Sequence, residues 1–240
     1  MIVEIGRNRF RFALTVAIAL LVASAAVPER LSHDWDNIDE YPLGPYPENE
    51  FENLIDNPTK ITFGGEVDPR DGVVVSSRAD VHAVYPVSIR AMRDVLIEFE
   101  SHAQFVPRVS ATDLEKLSDD PLSWLQRTQL SFRFLFFGAE YDLETHHVVR
   151  FGGEEPEPEQ FGLTSRLVRS PDGKLASQAG SWYLKRIEID EREYTYVRYY
   201  QRIEFAESIF GLRFALRRFG LRGIRETIEA FYDEAVRRAE

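Results

Sequence analysis

The chain contains no cysteine, which excludes disulfides, thiolate metal sites and cysteine-linked lipids from its chemistry. It also lacks a glycine-rich phosphate loop, a Ser/His/Asp arrangement and a paired-carboxylate motif, so no nucleotide cofactor or common hydrolase chemistry is indicated and no cofactor is expected. Histidine is sparse and scattered. His146 and His147 are adjacent, which on a strand sends them to opposite faces, and His33, His82 and His102 fall in unrelated elements, so no metal site is expected. Positive charge is in deficit: 29 Lys and Arg stand against 40 Asp and Glu, a net charge of -11. That balance opposes general nucleic-acid binding, which needs a basic surface to neutralise phosphates. Long apolar runs are missing too. The longest, Phe12 to Val22, falls short of the roughly 20 residues a membrane helix needs.

That short run has a recognisable context. Arg7, Arg9 and Arg11 precede it, Ala23-Ser24-Ala25 follows it with small residues, and Pro28 comes soon after. Residues 1–25 are therefore expected to be a secretory signal peptide, placing the mature chain in a periplasm or outside the cell. The alternative is an uncleaved N-terminal anchor in the inner membrane. Residues 26–60 combine Pro28, Pro42, Pro45, Pro47 and Pro58 with Asp34, Asp36, Asp39, Glu40, Glu48, Glu50, Glu52 and Asp56. This composition predicts an extended acidic arm rather than a fold, with Trp35, Tyr41, Tyr46 and Phe51 able to dock on the domain that follows.

Residues 61–240 read as one domain with 44% hydrophobic content in the whole chain to supply its core. Ile61 to Val67 is a short strand candidate, and Val73 to Tyr85 alternates, with Arg78, Asp80 and His82 on the face opposite its apolar residues. Ser88 can cap a helix to about Ser101, buried through Ile89, Met92, Val95, Leu96 and Phe99. A meander of roughly six strands follows, with Gly138 expected as a turn and Ser170-Pro171-Asp172-Gly173 as another. Within it Trp124 to Phe136 and Tyr141 to Phe151 each place alternate aromatic and aliphatic residues on one face. Glu207 to Ala239 is a long final helix, with Leu212, Leu216, Phe219, Gly223, Ile224, Thr227, Ile228, Phe231 and Ala235 on its buried face. Gly211, Gly220 and Gly223 each cost about 1 kcal/mol against alanine in a helix, so close approach or bending is expected there, either a slightly kinked helix packed on the sheet or one left thin so that something fits beneath it.

Several motifs in this order resemble a known family. Tyr85-Pro86-Val87-Ser88, then Val95 to Phe99 and Phe105-Val106-Pro107, look like the proline-turn, helix and F-x-P entrance of the START-like, or SRPBCC, superfamily that includes polyketide cyclases and coenzyme Q-binding proteins. Gly180-Ser181-Trp182-Tyr183-Leu184 and Thr195-Tyr196-Val197-Arg198-Tyr199 resemble its later strands. The resemblance covers about Val73 to Ala239. It implies an α+β helix-grip fold, a curved antiparallel sheet of about seven strands gripping the C-terminal helix, and an internal cavity for a lipid, quinone or polyketide-like molecule.

Phe132, Phe134, Tyr141, Trp182, Leu212, Leu216 and Phe219 are then expected as apolar walls, and His147, Tyr199 and Gln201 as inward polar groups. Arg213, Arg217, Arg218, Arg222 and Arg225 form a basic run expected to face anionic membrane lipids. The leading expectation is non-enzymatic binding or transport of a hydrophobic small molecule. One alternative is a cyclase or dehydratase with His147 as acid/base, and another is a filled core serving as an interaction module.

Overall fold

Alternating stretches become strands of one antiparallel sheet, and the amphipathic stretches become helices on one of its faces. The computed structural model describes residues 41–45, 51–66, 75–134, 137–207 and 212–240, all within the unit Trp35–Glu240. The expected signal peptide and residues 26–40 of the expected arm lie outside the described residues. The elements are α1 (Asn53–Asp56), β1 (Thr59–Glu66), β2 (Val75–Tyr85), α2 (Ile89–Ile97), a 3-10 turn (Phe99–Ser101) and α3 (His102–Phe105). There follow β3 (Val109–Asp119), β4 (Leu122–Phe134), β5 (Phe137–Phe151), β6 (Gln160–Arg169), β7 (Leu175–Ile189), β8 (Arg192–Phe205) and α4 (Leu212–Ala239).

The sheet has eight strands in the order β1-β2-β8-β7-β6-β5-β4-β3. About seven were expected. Ile61 and Phe63 are a thin signal for β1, yet it pairs with β2 from Thr59↔Ala83 to Glu66↔Ser76. Gly138 is not the turn expected of it: it pairs with Arg133, and the hairpin closes between Phe134 and Phe137. Leu135 and Phe136 carry no turn signature in the sequence, so Gly138 was the nearest residue that did.

Ser88 caps α2, its Oγ accepting from the Ala91 amide at 3.2 Å. The helix ends at Ile97, short of Ser101, and the chain tightens through the 3-10 turn into α3. Ile89, Met92, Val95 and Leu96 meet Ile228, Phe231 and Ala235 of α4 and Val81, Leu163 and Leu184 of the sheet, forming the main core. Each fully buried side chain of this size contributes about 1.5–3 kcal/mol.

Two glycines of α4 serve close approach. A Cβ on Gly220 would stand 2.6 Å from the Phe63 ring, and one on Gly223 would stand 3.4 Å from the Arg108 guanidinium. Arg108, at φ 73, donates to Glu226 at 2.6 Å and to the Gly223 carbonyl at 3.4 Å. The helix is thin at these points because β1 and the α3–β3 loop press against it. Gly211 lies outside the described residues.

The convex face carries a buried ionic cluster. Asp80 is fully buried, and Arg198 grips it with two bonds, Nε to Oδ1 at 3.0 Å and Nη2 to Oδ2 at 2.8 Å. His82 lies 3.5 Å from the same carboxylate and bonds the Tyr196 hydroxyl at 2.7 Å. Residues 41–45 and 51–58, within the stretch expected as an extended arm, lie across this face as a strap. Arg198 Nη1 donates to the Gly44 carbonyl at 3.1 Å, Ser181 Oγ donates to the Pro42 carbonyl at 2.9 Å, and Leu54 is buried against Val84, Tyr183, Ile187 and Tyr196.

Candidate functional site

On the concave face strand register brings distant residues into rows. One rung runs Ala79, Gln201, Gly180, Ser165, His147, Trp124 across β2, β8, β7, β6, β5 and β4. A second, two residues along, holds Ile203 opposite Gln178 and Thr145 opposite Gln126. A third holds Leu143, Thr128 and Thr112. Polar side chains in these rungs form a belt across an otherwise apolar face.

Apolar groups flank the belt on both sides. Toward the C-terminal half of α4, Trp182 lies tilted against Tyr199 with ring centres 4.4 Å apart and meets Phe231 edge-on at 5.0 Å, inside the main core. Toward the N-terminal half, Val75, Tyr141, Leu143, Leu175 and Phe205 form a separate cluster with Phe132 and Leu216 packed against it. Phe132 meets Tyr141 edge-on at 5.6 Å. The expected wall and polar residues therefore share one face but divide: Trp182, Tyr199 and His147 lie at the main core, Phe132, Tyr141 and Leu216 at the second cluster, and Gln201 on the belt between. The side chains of Phe134, Leu212 and Phe219 lie outside the described residues, as do those of Arg213, Arg217 and Arg218.

His147 sits at the centre of a hydrogen-bonded chain. Its Nε2 is 3.0 Å from Gln126 Oε1 and its Nδ1 2.9 Å from Ser165 Oγ, and Gln126 Nε2 donates to Thr112 Oγ1 at 3.1 Å. Because the Gln126 amide nitrogen is turned to Thr112, its carbonyl faces His147, so Nε2 carries the proton and Nδ1 accepts from Ser165. Burial pushes the His147 pKa down to about 3, with repulsion from His102 and His146 adding to it. His102, bonded to the Val95 carbonyl at 3.2 Å, is pushed down to about 4, chiefly by burial. Burial likewise raises Tyr199, and Tyr141 to about 12. The interior thus favours neutral groups.

The sequence reading missed Gln126, Ser165, Gln178 and Thr128. A signal was present, since each lies in phase with inward apolar neighbours, as Gln178 does with Gly180 and Trp182. Of the basic run, Arg222 and Arg225 are exposed, and Arg222 donates to Glu226, one turn on, at 2.7 Å. Across β3, β4 and β5 an open depression of about 390 Å³ is bordered by Thr112, Leu143, Asp113, Arg127 and Glu144. Its open, charged rim makes it a poor receptacle for an apolar molecule.

An eight-stranded antiparallel sheet gripping a long C-terminal helix is the helix-grip, or START-like, architecture. Solved structures share it. One, from Thermus thermophilus, matches at a TM-score of 0.51 with 10% identity, over 68% of this chain and 99% of its own. Another, a STAR-related lipid transfer protein from Xanthomonas axonopodis, matches at 0.52 with 12% identity, over 73% and 93%. No protein-family model and no curated protein matches the sequence.

Proposed function

We propose that this domain binds a hydrophobic small molecule on the concave face of its sheet, beneath the N-terminal half of α4. The observation that carries the reading is the divided interior. A domain usually has one contiguous apolar core with smaller satellite clusters under long loops; here, among the described residues, the second cluster around Tyr141, Leu143 and Phe205 lies not under a loop but on the concave sheet face, across a polar belt from the main core. Apolar walls with a few placed polar groups are what small-molecule sites are made of. The lipid-transfer designation of the Xanthomonas protein, which has the same architecture, agrees with this reading.

Binding is favoured over turnover by the state of His147. An acid/base works best with a pKa near the operating pH, and this imidazole is held neutral with both nitrogens engaged. Export belongs to the same proposal and rests on the sequence of residues 7–25. Attraction to an anionic membrane rests on the basic run of α4, in which Arg222 already has Glu226. Native mass spectrometry of the purified protein, with solvent extraction, tests the central claim: a copurifying apolar molecule is expected. A protein free of such molecules that also fails to bind apolar probes both with and without a hydroxyl group overturns it.

A further inference from the structure

Within the belt four side chains are joined in one internal chain. Ser165 donates to His147, His147 to Gln126 and Gln126 to Thr112. Gln178 stands outside this chain. It lies on the concave face, since Ser177 beside it points to the convex side and donates to Glu204 at 2.7 Å. Its Oε1 is buried and has no hydrogen-bond partner among the described residues, and the same is true of Thr128 Oγ1 at the other side of the belt. The threonine hydroxyl can turn to give or accept a proton and so sets no sign. An amide carbonyl oxygen can only accept. Leaving it buried and unmet is costly, which makes it a feature in need of a function. Its neighbours offer no donor: Gly180, two residues along on the same face, carries no side chain, and the cross-strand neighbour of Gln178 is the apolar Ile203.

We infer that Gln178 selects the ligand. The molecule that fills this face carries a hydrogen-bond donor, a hydroxyl or an N–H, on an otherwise apolar body, and places it against Gln178 Oε1 between the two apolar clusters. Ligands that offer only acceptors, such as quinones and esters, or only hydrocarbon, leave the carbonyl unmet. The inference rests on the binding reading above, and it narrows the ligand class from hydrophobic to hydroxylated or N–H-bearing hydrophobe.

The test uses naphthol and methylnaphthalene, near-isosteres that differ in a donor, competing with a fluorescent anilinonaphthalene sulfonate on the full chain. After correction for octanol partition, the wild type is expected to prefer naphthol by about tenfold, the usual scale for one buried polar group left unpaired. Gln178→Met, similar in size but without the amide, is expected to lose that preference while still binding both probes. Gln178→Asn keeps the amide but withdraws it by one methylene, and its preference should fall between the two. It serves as the measurement should Gln178→Met fail to fold. Equal binding of the probes by the wild type overturns the selection by Gln178 and leaves the apolar site standing. Displacement by neither probe overturns the binding reading itself.

Discussion

The two faces of the same sheet both bury polar side chains, and they do so in opposite ways. On the convex side Asp80, Arg198, His82 and Tyr196 are bonded to one another, and the strap supplies the Gly44 carbonyl to finish the set. On the concave side the belt is neutral, its central histidine is deprotonated, and Gln178 and Thr128 each keep an oxygen unmet among the described residues. The Nε atoms of Arg78 and Arg202 on the convex face also lack a partner among those residues, but a guanidinium spreads its hydrogen bonding over three nitrogens, and Arg202 is held by Glu204. A completed network holds a fold together. An incomplete one, flanked by two apolar clusters, is what the proposed ligand would complete.

The convex cluster is the place where a single change should cost most. Asp80→Ala strands the Arg198 guanidinium beneath the strap, and the loss of one partner from a buried ion pair costs about 3–5 kcal/mol; urea unfolding should report it as a lowered midpoint with the slope unchanged. A variant within about 1 kcal/mol of wild type would mean that water reaches Arg198 and that the strap does not seal this face. Next comes Leu54→Ala, which removes the strap's buried anchor and should cost about 2–4 kcal/mol by the usual scale for large-to-small core changes. An effect near zero there would return residues 51–58 to the status of a loose arm.

The smallest effect at neutral pH is expected on the concave side, where His147→Gln keeps a donor and an acceptor and should cost about 1 kcal/mol. Its signature lies in the pH dependence. A histidine whose folded pKa is depressed binds its proton more readily when unfolded, so its contribution is complete above about 6.5 and declines as pH falls toward about 3. The stability of His147→Gln should therefore fall less steeply than wild type between those values. Asp80, held down to about 2 against burial by its bonds to His82 and Arg198, acts in a different window: its contribution is complete above about 4 and is lost as pH falls through about 2. Acid unfolding of the two variants thus separates the faces, and identical curves would erase the distinction.

Much of the scaffold is written locally. Alternation along Trp124 to Phe134 and Tyr141 to Phe151 marks two strands and their inward faces, Ser88 marks the start of α2, and the spacing of Ile228, Phe231 and Ala235 marks the buried stripe of α4. Each of these depends only on which residues lie two, three or four positions apart. The same rule picked His147, Tyr199 and Gln201 as inward polar groups. It applies equally to Gln178, in phase with Gly180 and Trp182, but that its neighbours across the strands are Ile203 and, beside Gly180, Gln201 and Ser165 follows from the register of β7 against β8 and β6, a pairing of strands and not a property of either one.

The buried pair of Asp80 and Arg198 shows the boundary most clearly. Sequence periodicity sends both side chains to the face opposite the core, where charged residues usually meet water, and nothing within either strand indicates otherwise. The two are 118 positions apart and become a buried ion pair only because β2 pairs with β8 and the strap covers them. By itself the sequence determined the two long helices, most of the strands and which way their residues point, since these follow from local backbone geometry. Which outward-pointing groups would be sealed, which inward-pointing groups would find partners, and which glycines of α4 would meet Phe63 and Arg108 were decided by tertiary structure alone, because each depends on segments far apart in the chain arriving within a few ångströms of one another.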